Sequence, residues 1–219
     1  MSSPATTAHA MRRPVCHPVR PALVLPRLLV VADSAYTGGR PLLAVVREAV
    51  AGGARAVWLR DKHAAAGDRR RLAEALAEML HAVGGVLIAS PGTGSGAADG
   101  VHLGAADPWP GGAGEFAVGR SCHSDKELSR ANAEGCQWAT LSPVYPSRSK
   151  PGYGPPLGPA ALAGAPLPTW ALGGVDAANA AECLGSGAAG VAVLAAVLSS
   201  PDPAAAFAEI QDRLDEVGR

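Results

Sequence analysis

Residues 28–33 read LLVVAD, and this stretch decides the fold because it begins a unit that recurs along the chain. In each unit a short apolar run is followed by a polar turn and then by an Ala- and Leu-rich stretch with helical spacing. Near-continuous apolar runs are typical of strands buried on both faces of a parallel sheet. The predicted strands are residues 28–33, 56–60, 86–90, 100–104, 116–123, 138–143, 169–174 and 190–195.

Helical spacing separates most of these strands. Asp68 and Asp125 stand where helix N-caps are expected, and Gly135 and Gly187 stand where helices should end. The segments after the third and fourth strands are short and rich in Gly and Pro, so full helices are not expected there. The predicted helices are residues 41–52, 68–83, 125–134, 177–185 and 203–217.

Strand–helix alternation requires a parallel sheet, and eight such units between residues 27 and 219 favour its closure. We therefore predict an α/β protein, a single (β/α)₈ TIM barrel with short or missing helices after strands 3 and 4. An open, doubly wound sheet is the alternative. However, no G-x-G-x-x-G follows the first strand, so dinucleotide binding lacks its usual sequence mark.

The overall composition excludes several classes of partner. The 219 residues carry a formal net charge of zero, which does not favour a nucleic-acid surface. The four cysteines are widely spaced without a C-x-x-C pair, which argues against a disulfide framework or a zinc knuckle. No apolar run approaches the ~20 residues that span a bilayer. We expect a cytoplasmic protein with no nucleic-acid and no membrane partner.

The first 26 residues differ from the rest of the chain. They mix Pro, Ser, Thr and Arg without an apolar period, and Pro21 and Pro26 bracket an apolar patch too short for a signal peptide. We predict that residues 1–26 form a flexible N-terminal tail, or follow from a misplaced start codon, and that residues 27–219 form the barrel domain.

Polar and cationic side chains follow several of the predicted strands. Arg60 and Lys62 come after strand two, Asp107 after strand four and His123 at the end of strand five, and the small Ala195 ends strand eight. Function in such barrels lies at the carboxyl ends of the strands. The sequence therefore predicts that these residues meet at one rim.

The loop after strand six is the predicted phosphate site. Ser147 and Ser149 offer two hydroxyl donors and Lys150 offers a positive charge. After strand seven, Gly173 and Gly174 let backbone N–H groups approach an anion with no side chain in the way. The alternative is a solvated, proline-braced loop with an incidental charge.

His123 is the predicted acid/base, because imidazole takes up and releases protons near neutral pH. The adjacent Cys122 does not form a dyad with it, since neighbouring strand residues point to opposite sides. His102 lies in the middle of a predicted strand and is interpreted as structural. His63 is interpreted as an incidental residue of the rim.

Together these motifs resemble the thiamine-phosphate synthase/TenI family over residues 27 to about 215. The family has two activities: a Mg²⁺-dependent synthase joins a pyrimidine pyrophosphate to a thiazole phosphate, and a metal-free tautomerase aromatises a carboxythiazole phosphate. The matching segments are WLRDK at 58–62, DGVHLG at 99–104, GRSCHS at 119–124, SPVYPSRSK at 142–150, YGPPLG at 153–158, ALGGV at 171–175 and GVAV at 190–193.

The resemblance also implies roles for individual residues. It implies an acid/base role for His123 and pyrophosphate contacts for Arg60 and Lys62. Asp107 matches one Mg²⁺ carboxylate of the synthase. A phosphate cradle is implied for the polar loop and glycine positions, namely Ser147, Ser149, Lys150, Gly173 and Gly174, with Ala195 added as a further binding residue.

The chain departs from the synthase pattern in the pyrimidine half of the site. Trp58 stands where the synthase has Gln, and residues 87–92 lack the Asn-Asp pair that helps to hold Mg²⁺. Ala105 and Ala106 replace the Gln and Glu that usually precede Asp107. The leading hypothesis is therefore a thiazole tautomerase without a cofactor. A Mg²⁺-dependent synthase with a degenerate pyrimidine site and a non-catalytic thiazole-phosphate binder are the alternatives. All three take a small phosphorylated thiazole ligand, and a homo-oligomer is left open.

Overall fold

The computed structural model describes residues 23–93, 96–110, 116–146 and 155–217. Eight parallel strands follow one another in chain order and close into a barrel, in which β1 pairs with both β2 and β8. The predicted (β/α)₈ barrel is therefore confirmed. The strands are β1 Leu28–Ala32, β2 Ala56–Leu59, β3 Val86–Ala89, β4 Gly100–Leu103, β5 Ala117–Cys122, β6 Trp138–Leu141, β7 Thr169–Leu172 and β8 Gly190–Val193.

Helices cover the outside of the barrel unevenly. Between β3 and β5, the stretches that the structure describes contain no helix, as the Gly- and Pro-rich composition predicted. Short 3₁₀ helices follow β1 at Ser34–Tyr36 and precede β7 at Pro159–Leu162. The α-helices are α1 Leu42–Ala51, α2 Ala66–His81, α3 Asp125–Ala133, α4 Ala180–Gly185, α5 Ala195–Leu198 and α6 Pro203–Glu216.

Alternate strand residues fill two separate cores, one inside the barrel and one between the strands and the helices. Three tryptophans, Trp58, Trp138 and Trp170, occupy the interior core. A Cβ on Gly119 would lie 2.1 Å from the indole of Trp138, so only glycine leaves room for this ring. Gly119 pairs in register with both His102 and Trp138, so the indole crosses over a strand that carries no side chain there.

Two predicted N-caps are wrong. Ser124 caps α3 by accepting from the Glu127 N–H, so Asp125 is the first helical residue instead. In α2 the cap is Ala65, and Asp68 lies in the first turn. Acidic residues also favour the first turn because of the helix dipole, which explains the misplacement. The predicted helix stops are confirmed by the left-handed backbone of the two glycines, with φ of 87° at Gly135 and 102° at Gly187.

The barrel floor is closed by residues that the sequence placed in the N-terminal tail. Leu25 is buried in the interior core, and the indole N–H of Trp170 donates to the carbonyl of Pro26 at 3.0 Å. Leu25 and Pro26 therefore pack as part of the barrel, and residues 1–22 of the predicted tail lie outside the described residues. Among the described helices, none has the length and apolar character needed to cross a membrane.

Candidate active site

A cavity of about 1090 Å³ opens at the carboxyl ends of the strands. Six residues predicted for the site line it: Arg60, Lys62, His123, Gly173, Gly174 and Ala195. Asp107 instead lines an adjoining cavity of about 270 Å³, to which Arg60 and Lys62 also contribute. The predicted phosphate residues Ser147, Ser149 and Lys150 lie outside the described residues. The barrel thus brings together, at one rim, every predicted site residue that the structure describes.

His123 is oriented by the strand that follows it in the barrel. Its Nδ1 lies 2.7 Å from the carbonyl oxygen of Ser142, the first residue after β6. A carbonyl only accepts hydrogen bonds, so Nδ1 carries the proton and Nε2 carries the lone pair in the neutral ring. The backbone N–H of His123 donates to the carboxylate of Glu127 in α3. The ring is therefore held in the tautomer in which Nε2 is the basic nitrogen.

Cys122 faces away from this cavity. Its side chain lies in the core between strands and helices, and burial raises the pKa of its thiol to about 12. A group held as a thiol does not act as a nucleophile at neutral pH. The prediction that Cys122 and His123 form no dyad is confirmed.

His102 lies one strand away and is fully buried. The indole N–H of Trp138 donates to its Nδ1 at 3.0 Å, and its Nε2 lies 3.1 Å from Ser121 Oγ and 3.2 Å from Thr140 Oγ1. Burial, helped by the nearby charge of Arg120, lowers the pKa of His102 to about 3. The structural interpretation of His102 is supported, since the ring is neutral and enclosed.

Arg60 is anchored by a carboxylate that sequence reasoning overlooked. Its Nη1 lies 2.8 Å from Oδ2 of Asp33, which follows β1 and is 2% exposed. The pairing orients the guanidinium along the cavity wall and offsets part of its charge. Lys62 is exposed at the same side of the cavity. The signal for Asp33 is its position at the end of the first strand, where this fold places functional groups.

A second overlooked residue, Arg120, braces the loop that carries Asp107. The guanidinium is 1% exposed, and its Nη1 donates to the backbone carbonyls of Gly104 and Asp107 at 2.9 and 2.8 Å. Its Nη2 pairs with Glu134 at 2.9 Å. A charged residue inside a predicted apolar strand was the available signal, because a buried arginine needs partners.

These groups do not provide the oxygen set that Mg²⁺ prefers. One carboxylate oxygen of Asp107 accepts from the Gly104 N–H at 2.6 Å. On the wall of the same cavity, Ser90 Oγ already accepts from the Trp58 N–H at 3.1 Å, and neither side chain supplies a carboxylate. Over the residues described, no three His, Cys, Asp or Glu side chains cluster as metal ligands. Octahedral coordination of Mg²⁺ is not supplied by this part of the chain.

The two glycines after β7 are required by close packing. Gly173 and Gly174 have φ of 91° and 68°, and an added Cβ would lie 2.8 Å from the Cα of Pro143 and 2.5 Å from the carbonyl oxygen of Pro146, respectively. The loop after β6 therefore rests directly on the glycine turn, and the Tyr145 N–H donates to the Gly173 carbonyl at 3.0 Å.

Comparisons with known proteins cover the same barrel. A family model described as thiamine monophosphate synthase matches residues 28–197. A putative thiamine-phosphate synthase of Geobacter sulfurreducens is 39% identical over 190 residues, which cover 80% of this chain and 88% of that protein. The thiamine-phosphate synthase of Methanoculleus marisnigri is 38% identical over 199 residues, which cover 85% of this chain and 94% of that protein.

A solved structure agrees with these relatives. The thiamine phosphate pyrophosphorylase from Pyrococcus furiosus superimposes with a TM-score of 0.74 at 25% identity, covering 87% of this chain and 96% of that chain. The matched region, residues 28–197, holds all eight strands and every described residue predicted for the site. With fold, rim and sequence in agreement, this chain belongs to the thiamine monophosphate synthase family and is an enzyme of thiamine biosynthesis.

Proposed function

We propose that this enzyme is a thiazole tautomerase that moves a ring proton of a carboxythiazole phosphate. The observation that carries the proposal is the geometry of His123, a cavity-lining imidazole whose Nδ1 is held 2.7 Å from a backbone carbonyl. This geometry leaves Nε2 as the base, and the reaction needs no metal. The described walls of the cavity, which offer few carboxylates, are consistent with metal-free chemistry.

In this mechanism His123 takes a proton from the saturated ring carbon through Nε2, and a proton is added to the carbon outside the ring at the other end of the conjugated system, so that the ring becomes aromatic. The carbonyl of Ser142 accepts from Nδ1–H throughout and stabilises the transient imidazolium. Anchoring the phosphate at a distance holds the ring in place, and fixed geometry lowers the barrier to proton transfer.

The phosphate is placed against the turn formed by Gly173 and Gly174, beside Ala195. These three residues line the cavity after strands seven and eight, where phosphate sites of this fold often lie. Pro143 and Pro146 of the loop after β6 pack against the same turn, and Ser147, Ser149 and Lys150 follow Pro146 in the sequence. The proposal therefore keeps all three as phosphate ligands.

A thiamine-phosphate synthase is the second candidate. Two observations favour it: the names of the relatives, and the cationic wall formed by Arg60 and Lys62, which line both cavities. A pyrophosphate group would be attracted to that wall. This candidate requires Mg²⁺, for which Asp107 is the carboxylate that the pattern retains. The proposal as a whole describes a cytoplasmic enzyme with one barrel domain, which the packing of Leu25 and Pro26 extends slightly before residue 27, and a small phosphorylated thiazole as ligand.

The test assays both reactions with one protein preparation. Carboxythiazole phosphate is incubated in D₂O with and without EDTA, and ring-proton exchange and the conversion of tautomers are followed by NMR. In parallel, thiazole phosphate and the pyrimidine pyrophosphate are incubated with and without Mg²⁺, and thiamine phosphate is quantified. We expect tautomerisation that EDTA does not slow. Formation of thiamine phosphate without any tautomerisation would assign the synthase activity instead.

A further inference from the structure

The contact between Trp138 and His102 fixes where a proton lies deep in the barrel. An indole N–H only donates hydrogen bonds, so the Nδ1 of His102, 3.0 Å away, must be an acceptor without a proton. The ring is fully buried and neutral, and its single proton is therefore on Nε2. This is the tautomer opposite to that of His123.

The fixed tautomer determines how Ser121 can use its hydroxyl. Nε2 of His102 has no lone pair, so Ser121 Oγ, 3.1 Å away, is the acceptor in this contact. Thr140 Oγ1 lies 3.2 Å from the same nitrogen. Because this nitrogen carries a proton and has no lone pair, neither hydroxyl can donate a hydrogen bond to it. The proton of Ser121 must then be directed elsewhere, and Ser121 lines both cavities.

We propose that Trp138 and His102 are positioning residues that make Ser121 a hydrogen-bond donor to the substrate, so that the site selects an acceptor group, the ring carboxylate, at this position. The inference rests on the proposed function, because it names the part of the carboxythiazole that Ser121 recognises. Ser121 lies in β5, His123 directly follows that strand, and both line the larger cavity, so a ring held at His123 presents its substituents to Ser121.

The charges around Ser121 suit an anionic acceptor. Arg60 and Lys62 line the same two cavities, and Arg69 lines the smaller one. The carboxylate of Asp107 also faces the smaller cavity, but one of its oxygens accepts from the Gly104 N–H. Asp176 is a second carboxylate, on the wall of the larger cavity. Three cations thus face two carboxylates on the walls that Ser121 shares, which favours a negatively charged group there.

The test compares two ligands that differ only in this group, carboxythiazole phosphate and the thiazole phosphate without the carboxylate. Calorimetry on Ser121→Ala should show about a tenfold loss of affinity for the carboxylated ligand, the size expected for a hydrogen bond to a charged group. Affinity for the other ligand should stay within about twofold of the wild-type value, since no hydrogen bond to it is lost.

Trp138→Phe tests the positioning residues themselves, because it removes the N–H that fixes the tautomer. We expect roughly a threefold loss of affinity for the carboxylated ligand alone, smaller than for Ser121→Ala because the hydroxyl remains. Trp170→Phe is the matched control. It makes the same change in another inward-facing indole, whose N–H donates to the carbonyl of Pro26 and which lines neither cavity.

A ligand-independent readout accompanies the binding data. The ¹⁵N shifts of the histidine side chains in the wild-type protein should show His102 protonated on Nε2, and Trp138→Phe should change that signature while Trp170→Phe does not. A His102 ring protonated on Nδ1, or equal losses for both ligands in Ser121→Ala, would overturn the inference while leaving the proposed function standing. Failure of both ligands to bind the wild-type protein would overturn both.

Discussion

Two histidines on neighbouring strands show how one side chain serves two purposes in this barrel. His102 lies in β4 and His123 directly follows β5, and their Nδ1 atoms meet opposite partners. An indole N–H donates to the first, and a backbone carbonyl accepts from the second. The comparison teaches that the partner of Nδ1 decides whether Nε2 is a donor or a base.

The two imidazole rings also differ in how deeply they are buried. His102 is 1% exposed among aromatic rings, with the Trp58 ring centroid 4.0 Å away, whereas His123 is half-buried on the wall of the larger cavity. His102 borders only the smaller cavity and its nitrogens are engaged by Trp138, Ser121 and Thr140, whereas His123 borders the larger cavity and is more exposed there. The difference in burial therefore gives His102 a structural role and leaves His123 available for catalysis.

The largest effect that this comparison predicts concerns His123→Ala. We expect turnover of carboxythiazole phosphate to fall about 10²–10⁴-fold, the usual contribution of a general acid/base. Phosphate-anchored binding should be little changed, because the cradle does not include the imidazole. Stopped-time assays and calorimetry measure the two quantities separately. His63→Ala is the control, since His63 is exposed and lines neither cavity. Full turnover in His123→Ala would remove this residue from the chemistry.

The second prediction concerns stability against pH and tests the burial of His102. Its pKa is lowered from 6.5 to about 3 by folding, so the unfolded chain binds the extra proton between those values. Stability is therefore present in full above pH 6.5 and declines as the pH falls toward 3. Between pH 7 and pH 5 this group alone should lower the free energy of unfolding by about 2 kcal/mol.

Urea unfolding at pH 7 and pH 5 measures this loss in the wild type and in His102→Asn, which keeps a donor and an acceptor but does not titrate. The variant should be less stable at pH 7 and should lose less on acidification, because its other groups titrate as in the wild type. An equal loss in both proteins would mean that His102 is not held neutral.

The smallest predicted effect concerns the support of His123 from α3. Glu127→Ala removes the carboxylate that accepts from the His123 backbone N–H, and we expect a loss of about 1 kcal/mol in stability, typical of a helix cap. Turnover should fall only a few-fold, since the Ser142 carbonyl still orients the ring. Asp125→Ala is the control within the same helical turn. A larger effect of Asp125→Ala on turnover would contradict this assignment.

The fold was predictable because its signal is local. Each predicted strand matches an observed one, with an overshoot of one or two residues at the carboxyl end, as at Asp33 and Arg60. These charged rim residues directly follow the apolar runs in the sequence, and the pairing between strands stops before them. The N-caps were misplaced for a related reason, since acidic residues and a capping hydroxyl compete for adjacent positions at the start of α3.

The site was predictable only in part. The rim positions of Arg60, His123 and the glycine turn follow from strand order, because all carboxyl ends meet at one rim. The pairing of Arg60 with Asp33 and the bracing of the Asp107 loop by Arg120 do not follow from it. These contacts join residues 27 and 13 positions apart in the chain and depend on side-chain directions within the closed barrel.

The strand position occupied by Gly119 has a consequence that reaches the cavity. Because the indole of Trp138 passes over this residue to meet His102, a single methyl group there would displace the ring and release the imidazole to exchange its tautomer. The absence of a Cβ at residue 119 thus determines the direction in which the Ser121 hydroxyl donates its hydrogen at the mouth of the barrel.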